Sequence, residues 1–185
     1  MNILVFDDNA THRAAAEAQF KDHDLTVVET YDQAQKLLLD PNSKFDVVFS
    51  DLLVPASFQA QTEQLRGLGG TEMPVGIFIG LLAAVKGGAK YVGVLTDANH
   101  HSHPASACFD AFNKYAIEPD IFTVGGAKVV LINDSKWIGW YEPTDLSRAL
   151  SMDEWRGRHQ QLTNTKNWGA LLAYLISDGK VEDEE

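Results

Sequence analysis

Three short apolar runs in the first third of the chain constrain its fold more than any other feature. Asn2–Phe6 (NILVF), residues 25–28 (LTVV) and residues 45–50 (FDVVFS) have strand length and are rich in β-branched and aromatic side chains. The spacing leaves room for one helix between each pair. Residues 11–21 put alanines and Phe20 on one side and His12, Arg13, Glu17 and Lys21 on the other. Residues 33–39 follow Asp32, which reads as an N-cap, and stop at Asp40-Pro41-Asn42. Strand, helix, strand, helix, strand predicts right-handed crossovers and a parallel sheet with helices on both faces. NILVF has no polar member after Asn2, as suits a central strand buried on both faces.

The second half is less regular. Residues 56–72 are polar, with Gly67, Gly69 and Gly70, and read as a long loop or a short helix plus loop before a helix over 75–85. A strand is expected over Tyr91–Leu95 and a helix over 105–114. Two apolar segments, 121–124 and 129–132, flank Gly125-Gly126 and read either as one strand after a loop or as a β-hairpin. Residues 134–167 show no strong period, although Trp137, Trp140, Tyr141 and Trp155 need burial. A last helix is expected over 166–176, before an acidic tail at 178–185.

The chain has 185 residues, which suits a single domain, and a formal net charge of −11, which disfavours binding to nucleic acid or to anionic membranes. The longest apolar run, 74–85, is far short of the roughly 20 residues of a membrane span. The N-terminus lacks a basic segment and cleavage site, so a soluble cytoplasmic protein is expected. Cys108 is the sole cysteine, which excludes an intrachain disulfide, and it reads as a buried helical residue.

In open parallel sheets ligands gather at the carboxyl ends of the strands, and Asp7, Asp8 and Asp51 all stand at such ends. Carboxylates crowded together repel, and a hard, oxygen-seeking cation such as Mg²⁺ relieves that repulsion. Such a pocket suits phosphate chemistry, with the cation neutralising phosphate oxygens while one carboxylate attacks phosphorus.

ILVFDDN followed by FDVVFSDLLVP resembles the response-regulator receiver domain of two-component phosphorelay systems, well over residues 1–55 and more loosely over 91–98. The resemblance implies a flavodoxin-like, doubly wound five-stranded parallel sheet of order 2-1-3-4-5, here with a 56–73 insertion and an elaborated C-terminal part. It implies Asp51 as phosphoacceptor, Asp8 as a direct Mg²⁺ ligand, Asp7 as a second acidic metal-site residue and the Leu53 carbonyl as a further ligand. Thr96 matches the family's hydroxyl residue. The family's lysine at the end of the fifth strand falls on Asn133 when GGAKVVLIND is aligned, with Asp134 after it. Lys136 from the following loop, or Lys128 in another register, are the candidates to replace it. The implied partners are a histidine kinase or phosphotransfer protein and an unnamed downstream protein, and a homodimer is left open.

Two other functions stay open on the residues alone. One is a degenerate receiver used as a phosphorylation-independent binding module. The other is a phosphohydrolase similar to the haloacid dehalogenase superfamily, with Asp7 as nucleophile, Thr96 and Lys128 as helpers and Asp134 on the metal, although Asn9 stands where that family has a second aspartate. The histidines His100, His101 and His103 read as a polar loop ahead of a helix in preference to a transition-metal site.

Overall fold

A computed structural model of the protein describes residues 1–55, 71–98, 101, 103–114, 118–133, 135–156, 158 and 161–179. Most of the 56–73 insertion, His100, Asp134 and the end of the acidic tail lie outside them. β1 (Asn2–Phe6), α1 (Ala10–Gln19), β2 (Asp24–Val28), α2 (Tyr31–Leu39) and β3 (Val47–Ser50) form the strand-helix alternation expected of the first third. Asn9 caps α1, its side chain accepting from the Thr11 amide. The α2 cap is Thr30 rather than Asp32: Thr30 and Gln33 form a reciprocal capping box, which satisfies two backbone donors where Asp32 would satisfy one.

Two-residue strands β4 (Val54–Pro55) and β5 (Glu72–Met73) pair antiparallel and bring the chain back to α3 (Gly76–Leu82). α3 runs on into a π-helical turn, Ala83–Gly87, ended by Gly88 in the left-handed region. β6 (Tyr91–Leu95) follows. The helix expected over 105–114 is only a turn, α4 (Pro104–Ala107), relayed into a 3₁₀ segment, Cys108–Phe112, on which Cys108 is exposed rather than buried. Short β7 (Asn113–Lys114) and β8 (Glu118–Pro119) pair antiparallel.

β9 (Phe122–Val124) and β10 (Ala127–Ile132) settle the alternative around Gly125-Gly126 as a hairpin. Both turn glycines have positive φ, 58° and 94°, and a Cβ on Gly125 would sit 2.6 Å from the Ala84 carbonyl oxygen. A 3₁₀ turn, Ser135–Trp137, leads to β11 (Ile138–Tyr141), α5 (Met152–Trp155) and β12 (Thr163–Lys166), which pairs antiparallel with β11. α6 (Trp168–Ile176) closes the described chain.

The central sheet is mixed and six-stranded, in the order β2-β1-β3-β6-β10-β9. Among the described residues its first five strands are parallel and β9 is antiparallel, which makes six strands where five are expected. Side chains alternate across it. Leu4, Phe6, Val48, Val92 and Val129 face a core closed by α2 and α3, whereas Ile3, Val5, Val47, Phe49 and Val130 face one closed by α1 and α6. Ile3 to Phe6 are all fully buried, and at about 1.5–3 kcal/mol for each large apolar side chain β1 anchors both layers. No helix of the described residues is long and apolar enough to cross a membrane.

Candidate functional site

Asp7 and Asp51 continue the sheet's hydrogen bonding past the formal strand ends. The Asp7 amide donates to Val28 O (3.1 Å) and the Asp51 amide to Phe6 O (2.7 Å), which fixes both backbones at the carboxyl edge. Arg13, one turn into α1, donates to the carbonyls of Asp7 (2.9 Å) and Asp8 (2.6 Å) and to the Glu29 carboxylate (3.2 Å), holding the β1–α1 loop. Asp7 is fully buried and Asp51 nearly so, while Asp8 is exposed at the rim. Carboxylate oxygens of the three lie within 4.8 Å of one another.

Between them sits a cation. The Nζ of Lys166 donates to Asp7 Oδ2 at 2.6 Å and to Asp51 Oδ1 at 2.7 Å, and the lysine side chain is wholly buried. Burying an ammonium costs several kcal/mol, which two short charge-assisted hydrogen bonds offset. The Trp168 ring adds a face 5.2 Å from Nζ. The backbone is pinned as well: Gln19 of α1 donates to Lys166 O (3.2 Å) and accepts from the Gly169 amide (2.9 Å), and Asn167 caps α6. Lys166 is therefore a strand residue ahead of an N-cap, not the first residue of the last helix. Its signal in the sequence is a lysine directly before an asparagine cap and an unbroken apolar helix.

Charge at the site is unbalanced. Three ionised carboxylates against one ammonium leave two negative charges. Desolvation, then repulsion from Asp7, hold the Asp8 carboxyl above its usual range. Burial pushes Asp51 up to about 6, against the pull of Lys166 and with a further push from Asp7. Burial also opposes the charge on Lys166, but Asp51 and Asp7 outweigh it and hold the ammonium above the ordinary lysine value. An all-oxygen donor set with two uncompensated charges fits a hard divalent cation such as Mg²⁺. Asp7 Oδ1 already accepts from the Asn9 amide (2.9 Å), so Asp8 and Asp51 are the carboxylates better placed for direct ligation.

The remaining expected residues are distributed as follows. Thr96 is buried just beyond β6, on the strand beside β3, its amide donating to Ile132 O (2.9 Å) and its hydroxyl accepting from the Ala98 amide (3.1 Å). Leu53 lies two residues past Asp51 with a buried side chain. Asn133 donates to Ser106 O (2.7 Å) and Asp110 Oδ1 (2.9 Å), tying the end of β10 to the α4 region. Lys136 is exposed on the 3₁₀ turn after β10, and the amine against the aspartates is that of Lys166. Lys128 sits at the amino end of β10, away from the aspartate edge, and pairs with Asp178 at 2.5 Å. His103 caps α4 by accepting from the Ala105 amide (3.1 Å), and His101 is exposed.

A glycine contributes to the site by absence of a side chain. A Cβ on Gly76 would lie 1.7 Å from the Asp51 carbonyl oxygen, so α3 can start this close to the loop after β3 only with glycine there. Gly76→Ala is expected to displace that loop and cost about 1–3 kcal/mol, read as a lower melting temperature. A variant that melts with the parent would contradict the close approach.

No protein-family model matches this chain, and no curated protein or solved structure does so either.

Proposed function

We propose that this protein is a receiver-like phosphoacceptor that takes a phosphoryl group onto Asp51 from a phosphohistidine donor on a histidine kinase or phosphotransfer protein, and signals to a further protein through the changed surface. The observation that carries this reading is the Lys166 ammonium bridging Asp7 and Asp51 beside Asp8 at the carboxyl edge of a largely parallel sheet. The sequence β2-β1-β3-β6-β10 among the parallel strands supports a flavodoxin-like order for this part of the sheet.

In the proposed step an Asp51 carboxylate oxygen forms a bond to phosphorus while the donor's P–N bond breaks. The imidazole nitrogen leaves with the electron pair and is protonated by solvent. With acetyl phosphate the P–O bond to the acyl group breaks and acetate leaves. Asp51 must be anionic to attack, so uptake is expected to rise with pH through about 6. Lys166, rather than Lys136 or Lys128, is the amine that would meet a phosphoryl oxygen on Asp51, and Thr96 the hydroxyl on the adjacent strand. Mg²⁺, when held by Asp8 and Asp51 with Asp7 and the Leu53 carbonyl in support, supplies charge neutralisation for the phosphoryl oxygens.

Mg²⁺ is expected to stabilise the fold even without a phosphodonor. At tenfold over its dissociation constant the gain is about 1.4 kcal/mol, a rise of about 3–5 °C in Tm at pH 7.5. Asp8→Asn should remove most of that rise. Melting curves insensitive to Mg²⁺ would leave the acidic cluster without its proposed ligand. Transfer from acetyl phosphate, blocked by Asp51→Asn, tests the reaction itself.

A further inference from the structure

His12 is a buried titratable group that the proposed phosphoryl transfer does not use directly. It sits on α1, 4% exposed, and every polar contact of its ring leads to a segment that carries a site residue. Nδ1 lies 2.8 Å from Thr165 Oγ1, in the residue before Lys166. Nε2 lies 3.4 Å from Asp97 Oδ2, in the residue after Thr96. The His12 carbonyl also accepts from the Trp168 indole N–H at 2.9 Å, two residues beyond Lys166. One residue of α1 thus grips the lysine segment on both sides and reaches across to the loop after β6.

We propose that His12 is a positioning residue whose imidazole ties the segment bearing Lys166 to the loop bearing Thr96, and so holds the ammonium against Asp51. As an aid to phosphoryl transfer this rests on the receiver-like reading above. As a determinant of where Lys166 sits it stands on the contacts alone. The strap accommodates both protonation states of the ring. A neutral imidazole accepts from the Thr165 hydroxyl at Nδ1 and donates from Nε2 to Asp97. An imidazolium donates at both nitrogens, and the Thr165 hydroxyl turns to the Thr11 carbonyl, 3.5 Å away. The Asp97 carboxyl is held below its usual range, first by its hydrogen bond from His12, in keeping with a donating Nε2–H. Thr165 and Lys166 are both fully buried, so without His12 the hydroxyl falls back on the longer contact to the Thr11 carbonyl, the tie to Asp97 is lost, and the lysine segment has reason to shift.

The 185-residue chain tests this by ¹H–¹⁵N NMR of the Lys166 ammonium at a fixed, neutral pH, a readout of its contact with Asp7 and Asp51 that needs no phosphodonor. In the parent the buried, doubly hydrogen-bonded ammonium is expected to exchange its protons slowly enough to give a resolved signal. His12→Leu should speed that exchange about tenfold as the ammonium withdraws, and slow uptake from acetyl phosphate with Mg²⁺ about tenfold. His12→Asn, which keeps an amide near the Nδ1 position, should restore the slow exchange. Thr165→Val, close to isosteric, should reproduce the faster exchange even if His12→Leu fails to fold. Lys166 exchange unchanged by Thr165→Val, or quickened equally by His12→Leu and His12→Asn, would overturn the proposal. A parent protein that takes no phosphoryl group sinks the receiver-like reading, while the ammonium exchange still decides the role of His12.

Discussion

Lys166→Met is expected to destabilise the protein by about 3–5 kcal/mol at pH 7.5, the cost of leaving buried carboxylates without their counter-charge. For a chain of this size that is a fall in Tm of roughly 6–20 °C. The sign follows from the direction of the lysine shift. A group whose folded pKa is raised contributes stability that is complete below its unfolded value, near 10.5, and is lost only as pH climbs through the folded one, so the full contribution is present at neutrality. The loss should shrink toward pH 5, where Asp51, deprived of its ammonium, is protonated. Adding Asp51→Asn should recover part of it, and a double-mutant cycle in denaturant melts measures the coupling. A loss near zero at pH 7.5, or strict additivity of the two substitutions, would mean that the bridge seen at 2.6 and 2.7 Å contributes little to the folded state.

Asp51→Asn is expected to do two opposite things. It should abolish phosphoryl uptake, because an amide offers no anionic nucleophile. It should also stabilise the fold at neutral pH. The Asp51 carboxyl titrates near 6 when folded and near 3.9 when unfolded, so between those values the folded state holds the extra proton and stability falls as pH rises. Above pH 6 the penalty is complete, about 3 kcal/mol, and below pH 4 it is absent. The variant should therefore melt about 6–12 °C above the parent at pH 7.5 and nearly together with it at pH 4. A variant that is less stable than the parent at pH 7.5 would show that the anion is a net stabiliser and that the crowding of Asp7, Asp8 and Asp51 is already relieved. A site that destabilises its own fold is the pattern expected where carboxylates are held together for binding or chemistry.

What the sequence disclosed follows from what side-chain patterns can carry. β1 and β3 are legible because their apolar runs are continuous and end abruptly on aspartate, so the strands and the meeting of Asp7, Asp8 and Asp51 come from the same observation. β12 is illegible for the opposite reason. It reads Thr-Asn-Thr-Lys, and its buried members are a hydroxyl that bonds His12 and an ammonium that bonds two aspartates, so the alternation that marks a strand is written in polar groups. Lys166 is hidden further by distance along the chain. β11, α5 and β12 stand between β10 and α6, and an alignment anchored on β10 looks for the amine at Asn133, some thirty residues too early. The antiparallel β9 is short and half-buried, and its pairing depends on Gly125 and Gly126 taking positive φ, which glycine permits but does not announce.

The most direct measurement is intact-protein and peptide mass spectrometry after incubation with acetyl phosphate and Mg²⁺ at pH 7.5. A single acyl phosphate on Asp51, formed by the parent, lost with EDTA and absent from Asp51→Asn, is the predicted result. A parent that acquires no phosphoryl group although Mg²⁺ raises its Tm, or one whose phosphoryl group sits on another residue and survives Asp51→Asn, would contradict the assignment of Asp51 as the phosphoacceptor.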